Sequence, residues 1–203
     1  MANPVIKVPD TFPTGEDLAK AIRDHPEILG IPHSKLDCQA AVEKALSLVG
    51  VVVNYRGSNH MWRDMVTNRM SISEAGSQIG ELLPGMICFT LKHDGSEVRR
   101  GYHDSMGAAV HVGIILDSKT CFQSGIRGTE IIPISQTSFN QVALCKFVSY
   151  PDIAYDEEPD IDDEPIDPSY HIELLEQIRQ LLQDAEDKLY QLEDYIKGKD
   201  GTT

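Results

Sequence analysis

The chain has 203 residues, of which 41% are hydrophobic and 25% charged; this balance is that of a soluble globular protein and excludes collagenous, wholly disordered and disulfide-scaffold classes. No apolar run approaches the roughly 18 residues that span a bilayer. The formal charge of -14 divides unevenly, because residues 1–150 hold 15 acidic and 14 basic residues, a net of -1, whereas residues 151–203 hold 17 and 4, a net of -13; with no basic cluster in either part, nucleic acid is excluded as a partner.

In chain order, an extended, Pro-broken start leads to Thr14, a suitable N-cap for a helix in which Leu18, Ala21 and Ile22 repeat at helical spacing. A second helix is predicted from near Asp37, since Cys38, Ala41, Val42, Ala45, Leu46 and Val49 recur at three and four residues before Gly50. Residues 54–80 read as short helices and loops. From Pro84 onward, short apolar runs bounded by turn residues predict antiparallel strands at Met86–Leu91, His111–Leu116, Cys121–Gln123, Thr129–Ile134 and Val142–Val148, with Asp117–Thr120 as a hairpin loop. Helices followed by a strand meander define an α+β domain of about five strands over residues 1–150. Residues 151–169, interrupted by prolines and holding nine acidic residues, are expected to be a solvated linker. Beyond it, Leu175, Ile178, Leu182, Ala185, Leu189, Leu192 and Ile196 keep a three-and-four spacing over residues 170–198. That pattern is a coiled-coil-like seam for self-association, or an amphipathic helix docked on its own domain.

Four cysteines without a C-x-x-C pair offer neither a disulfide framework nor a zinc site. Neither a metal nor a cofactor is implied. Cys88, Cys121 and Cys145 fall inside apolar strand runs and read as buried structural thiols. Cys38 opens a predicted helix, where free N–H groups and the helix dipole favour a thiolate and are expected to lower its pKa. Its partner must be a base brought close by the fold. Of seven histidines, His25, His33, His60, His93, His103 and His171 read as solvated. His111 opens the most apolar strand of the chain, and pairing that strand with Cys121–Gly125 brings Gln123 near it, where a side-chain amide can accept the imidazole N–H. A Cys38, His111, Gln123 set is therefore geometrically possible. A buried His with no chemistry fits the same pattern.

The runs Leu-Asp-Cys-Gln-Ala-Ala-Val-Glu (36–43), Leu-Pro-Gly-Met-Ile-Cys-Phe (83–89) and His-Val-Gly-Ile-Ile-Leu (111–116), with a polar residue twelve after the His, resemble the NlpC-type cell-wall cysteine peptidases, a papain-like family. The likeness covers roughly residues 15–148. It implies a papain-like fold and hydrolysis of a peptidoglycan stem peptide, at the bond between γ-D-glutamate and the diamino acid. Cys38 would attack, His111 would be the base and Gln123 would orient it. Asp37 matches the acidic residue that holds the stem peptide's free amine, and it serves equally as a helix N-cap. The chain departs from the family at Gln39, where Ser is common; at Met86, where Asp is common; and at His33, where a Tyr helps to shape the site. Trp62, the single tryptophan, can line a substrate groove or fill the core.

The N-terminus lacks a secretory signal, so synthesis in the cytoplasm is expected. Together with the acidic helical tail this reads as a phage or prophage product, a tail-associated lysin or endolysin acting at the cell wall. The alternatives are a cytoplasmic enzyme that recycles wall peptides, a wall amidase of the CHAP type and a non-catalytic virion assembly protein that keeps the fold.

Overall fold

The computed structural model describes residues 4–150 apart from Ile79, Arg100 and His103. His103, His171, the acidic linker 151–169 and the heptad segment 170–198 lie outside the described residues. The first of the chain's two units, Met1–Ile153, contains all that is described.

The first helix, α1 (Gly15–Asp24), begins with a capping box. The Thr14 hydroxyl accepts the Asp17 N–H, and the Asp17 carboxylate accepts the Thr14 N–H. These bonds satisfy donors that the helix cannot. Its apolar stripe, Leu18, Ala19 and Ile22, is fully buried, so truncating Leu18 to Ala would cost about 2–5 kcal/mol. The second helix, α2 (Cys38–Leu48), buries Ala41, Val42, Ala45 and Leu46. It stops where Gly50 takes φ +83° and its N–H bonds back to Ser47 O. A residue with a Cβ would be strained there.

A short strand β1 (Val5–Lys7) pairs with β2 (Val52–Val53). Then come α3 (Ser58–Asp64), β3 (Val66–Ser71), α4 (Ile72–Gln78), β4 (Ile87–Lys92), α5 (Ser96–Arg99), β5 (Ala108–Ile115), β6 (Thr120–Gly125), β7 (Gly128–Pro133) and β8 (Gln141–Cys145). The last six strands form one sheet in the order β3-β8-β4-β5-β6-β7, each neighbouring pair antiparallel. Ile87, Cys88 and Phe89 are buried in succession, so β4 is covered on both faces.

The architecture is a mixture of helices and antiparallel sheet. The sheet has six strands instead of five, because β3 lies within the segment read as helices and loops. Its pairing with β8 slips between Thr67 and Met70, and Asn68 between them adopts φ +46°. Such a bulge destroys the period-two alternation by which a strand is recognised.

Candidate active site

Cys38 is the first residue of α2, and the Asp37 side chain caps the helix by accepting the Ala40 N–H at 2.8 Å. The cap satisfies one of the N–H groups that the first turn of the helix leaves without a backbone partner. The Cys38 thiol lies beside the backbone N–H of Val112, the residue after His111 on β5. On β5, His111 and Gly113 share one face by alternation, and Gly113 is the register partner of Gln123 on β6. The diagonal so formed is closed by a hydrogen bond of 2.9 Å between His111 Nε2 and Gln123 Oε1. A carbonyl oxygen only accepts, so Nε2 carries the hydrogen and Nδ1 is left as the basic nitrogen.

Three further groups fix this arrangement. The Phe139 ring stacks on His111 with centroids 5.1 Å apart and planes 3° from parallel. A Cβ on Gly113 would lie 2.8 Å from that ring and 2.7 Å from Phe122 O, so glycine there makes the stack possible. The loop before Cys38 is stitched to the β6–β7 hairpin. Gly30 N–H donates to Thr129 O, Thr129 N–H to Ile31 O, and Ile31 N–H to Thr129 Oγ1. His33 Nδ1 donates to Ser124 O at 3.1 Å, while Ser124 Oγ–H donates to Leu36 O. Ser124 and Thr129 are buried, and their hydroxyls bind backbone groups of half-buried loop residues, Leu36 O and Ile31 N–H.

Burial pushes the Cys38 thiol above its ordinary range. The Asp37 carboxylate adds to that, and the N–H groups of Val112, Gln39 and Cys38 itself oppose it. The expectation of a lowered pKa from the helix terminus is thereby corrected: removal from water outweighs the N–H donors. Burial likewise lowers His111, against the Gln123 hydrogen bond and with help from nearby His33. Both shifts favour neutral partners at rest, a thiol and an imidazole. Cys88 and Cys145 are fully buried; burial raises Cys88 well above its ordinary value and pushes Cys145 up to about 12.

A hollow of about 360 Å³ opens beside His111 and Gln123, lined also by Arg127, Glu130, Gln136 and Ser138. Among the residues singled out from the sequence, His111 and Gln123 line this hollow, His33 is held to Ser124, the residue after Gln123, and Cys38 lies beside the N–H of Val112, the residue after His111. Asp37 adjoins as the helix cap. Gln39 lies behind, its Nε2 donating to Glu43 Oε1 and Tyr55 O. Trp62 does not line a groove: it is 3% exposed, packs edge-on against Phe89 and donates Nε1–H to Met106 O. His60 is not solvated either, being half-buried with its Nε2 against the Asp64 carboxylate. The sequence reading passed over Phe139, Ser124, Thr129 and Glu130. Glu130 was accessible by counting back from the two-residue turn Ile126-Arg127, which sets Gln123 opposite Glu130. Phe139 follows an irregular loop and carries no local signal.

Among the described residues no group of three or more His, Cys, Asp or Glu side chains is placed to hold a metal ion. No helix among them is long and apolar enough to cross a membrane.

No protein-family model matches the chain, and no curated protein matches it. Among solved structures it is similar to an NlpC/P60 family protein from Bacillus cereus, with 18% identity and a TM-score of 0.45 over 68% of this chain. The match covers 42% of that protein, so the chain spans about two fifths of its length.

Proposed function

We propose that the domain is a cysteine peptidase acting on the stem peptides of peptidoglycan. The observation that carries the chemistry is the His111–Gln123 hydrogen bond on the strand whose Val112 N–H meets the Cys38 thiol. On this reading Cys38 is the nucleophile, His111 the base and Gln123 the orienting amide, carried by a helix N-terminus and two adjacent strands. Cys38 Sγ attacks the scissile carbonyl carbon while its proton passes to His111 Nδ1. The oxyanion forms beside the Cys38 backbone N–H at the start of α2, where the helix dipole favours negative charge. His111 then protonates the departing amine, and water, activated by the same imidazole, hydrolyses the thioester. A neutral resting pair suits this sequence, because the proton moves only as the new bond forms.

The substrate class, and the γ-D-glutamyl–diamino acid bond in particular, rest on the resemblance of residues 15–148 to the NlpC-type enzymes. Asp37 and His33 flank the nucleophile and are proposed to meet the substrate, with Asp37 pairing with its free amine. A phage or prophage origin, action at the cell wall and self-association through residues 170–198 rest on the sequence pattern alone. Sedimentation of the full chain, with and without Leu182→Asp, tests the last.

Defined muropeptides, incubated with the protein and weighed by mass spectrometry, test the proposal. Cleavage within the stem peptide supports it; cleavage between sugar and peptide makes the protein a CHAP-like amidase. If no muropeptide is cut, the proposal fails and a non-catalytic protein that keeps the fold is left.

A further inference from the structure

The polar row that begins at His111 does not end at Gln123. Gln123 and Glu130 are direct register partners on β6 and β7, and Gln123 Nε2–H donates to Glu130 Oε1 at 3.2 Å. The other carboxylate oxygen, Oε2, is held by Arg127 Nη2 at 2.9 Å. Gly125 leaves the contact room, since a Cβ there would lie 3.2 Å from Gln123 Nε2 and 3.4 Å from Glu130 Oε1. Gln123 is 8% exposed, so water competes poorly for its amide.

A glutamine amide has two ends of nearly equal shape and opposite hydrogen-bonding sense. Turned one way it accepts from the imidazole; turned the other it donates to it. In the second orientation His111 Nε2 would have to be bare and the hydrogen would sit on Nδ1, the nitrogen that the proposed mechanism needs as a base. Nothing within Gln123 itself chooses between the two. A carboxylate paired with a guanidinium offers lone pairs only, so it accepts the NH2 end and thereby turns the carbonyl end toward the ring.

We propose that Glu130 is a positioning residue that fixes the amide of Gln123 and through it the tautomer of His111. The inference rests on the reading of Cys38 and His111 as nucleophile and base. Glu130 touches neither the thiol nor the imidazole, and it acts through Gln123 alone.

The test uses the full chain as wild type, Glu130→Ala, Glu130→Gln and the double variant Gln123→Glu/Glu130→Ala. Nitrogen NMR of the His111 ring, assigned by its loss in His111→Ala and recorded without substrate near pH 8, where an imidazole is neutral, reports the tautomer directly. The wild type is expected to show one tautomer, protonated at Nε2, and Glu130→Ala a mixture. On a defined muropeptide, Glu130→Ala should lower kcat in proportion to the wrong tautomer, by about two- to tenfold, and leave KM within about twofold, since a wrongly protonated imidazole is a lost base and not a lost contact. Glu130→Gln keeps an acceptor but adds a competing NH2, and it should fall between. In the double variant a carboxylate at 123 accepts from the ring with either oxygen and needs no orienting, so the single tautomer and most of kcat should return.

An unchanged tautomer in Glu130→Ala overturns the proposal, whatever happens to the rate. A mixture that Gln123→Glu does not cure overturns it too. If no variant, wild type included, cuts the muropeptide while the tautomer shifts as expected, the assignment of Glu130 stands and the peptidase reading fails.

Discussion

Two seams tie distant parts of this domain together with buried polar groups, and they end differently. At the first, the start of α1 meets the end of the sheet: Gly15 N–H donates to Ser149 O, and Ser149 N–H to Pro13 O. Tyr150 OH donates to Gly85 O at 2.8 Å and accepts the Cys145 N–H at 3.1 Å. A hollow of about 210 Å³ lies there, lined by Thr14, Gly15, Glu81, Pro84 and Tyr150. No thiol or imidazole lines it. At the second, the loop before α2 is stitched to β6 and β7, and the polar row continues through Glu130, Gln123 and His111 toward Cys38.

Both seams obey the rule that buried polar groups find partners. The first spends its partners on backbone and hydroxyl groups that do not titrate near neutral pH. The second ends in a thiol and an imidazole nitrogen whose protons can move. Chemistry is therefore expected where a satisfied network terminates in titratable groups, and stability alone where it does not.

Substitutions at the two seams separate these roles. The largest effect belongs to Cys38→Ala, which should abolish muropeptide turnover, while Cys121→Ala, at a fully buried thiol hydrogen-bonded to Ile132 O, should leave kcat nearly intact. Equal losses measured under identical conditions would make Cys38 a structural thiol like the others. Next, His111→Ala should lower the rate by roughly 100- to 10,000-fold, with Gln123→Ala costing less. A base works only when unprotonated, so the rate is full above its pKa and falls below it. Burial lowers His111 from the ordinary 6.5, which places the acid limb of the pH profile below pH 6.5. A flat profile through the acid range would break the comparison by removing the titrating end of the second seam.

Much of this was legible in the sequence, for reasons that differ by residue. Thr14 and Asp37 announced their helices because capping is local chemistry. The strands around His111 and Gln123 were legible because an apolar run and a short loop suffice to define a hairpin. The nearness of Cys38 to that hairpin came only from the resemblance, since no local rule joins residue 38 to residue 112. β3 was missed because its bulge erases the alternation, and the sense of the Cys38 shift was missed because burial is a property of the whole fold. The place of Trp62 in the core was open in the sequence and settled by its neighbours Phe89 and Met106.

Smaller effects sharpen the contrast. Gly128 adopts φ +95°, and a Cβ on it would lie 2.4 Å from Ile31 O; a Cβ on Gly15 would lie 1.9 Å from Pro84 O. Alanine at either position should destabilise the domain by about 1–3 kcal/mol in thermal or denaturant unfolding. Only Gly128→Ala should also lower kcat per folded molecule, by about tenfold, because it pushes the loop that carries the nucleophile. Tyr150→Phe strands two buried backbone groups, Cys145 N–H and Gly85 O, and should cost about 2–6 kcal/mol of stability with kcat unaltered.

The most direct measurement is the rate at which iodoacetamide alkylates each cysteine in the native protein, with and without His111. Cys38 alone is expected to react, at a rate that rises with pH through the imidazole range and that His111→Ala slows near neutrality. Alkylation of Cys38 at the same rate in wild type and His111→Ala, or no faster than at Cys88, would contradict the pairing of thiol and base on which the account stands.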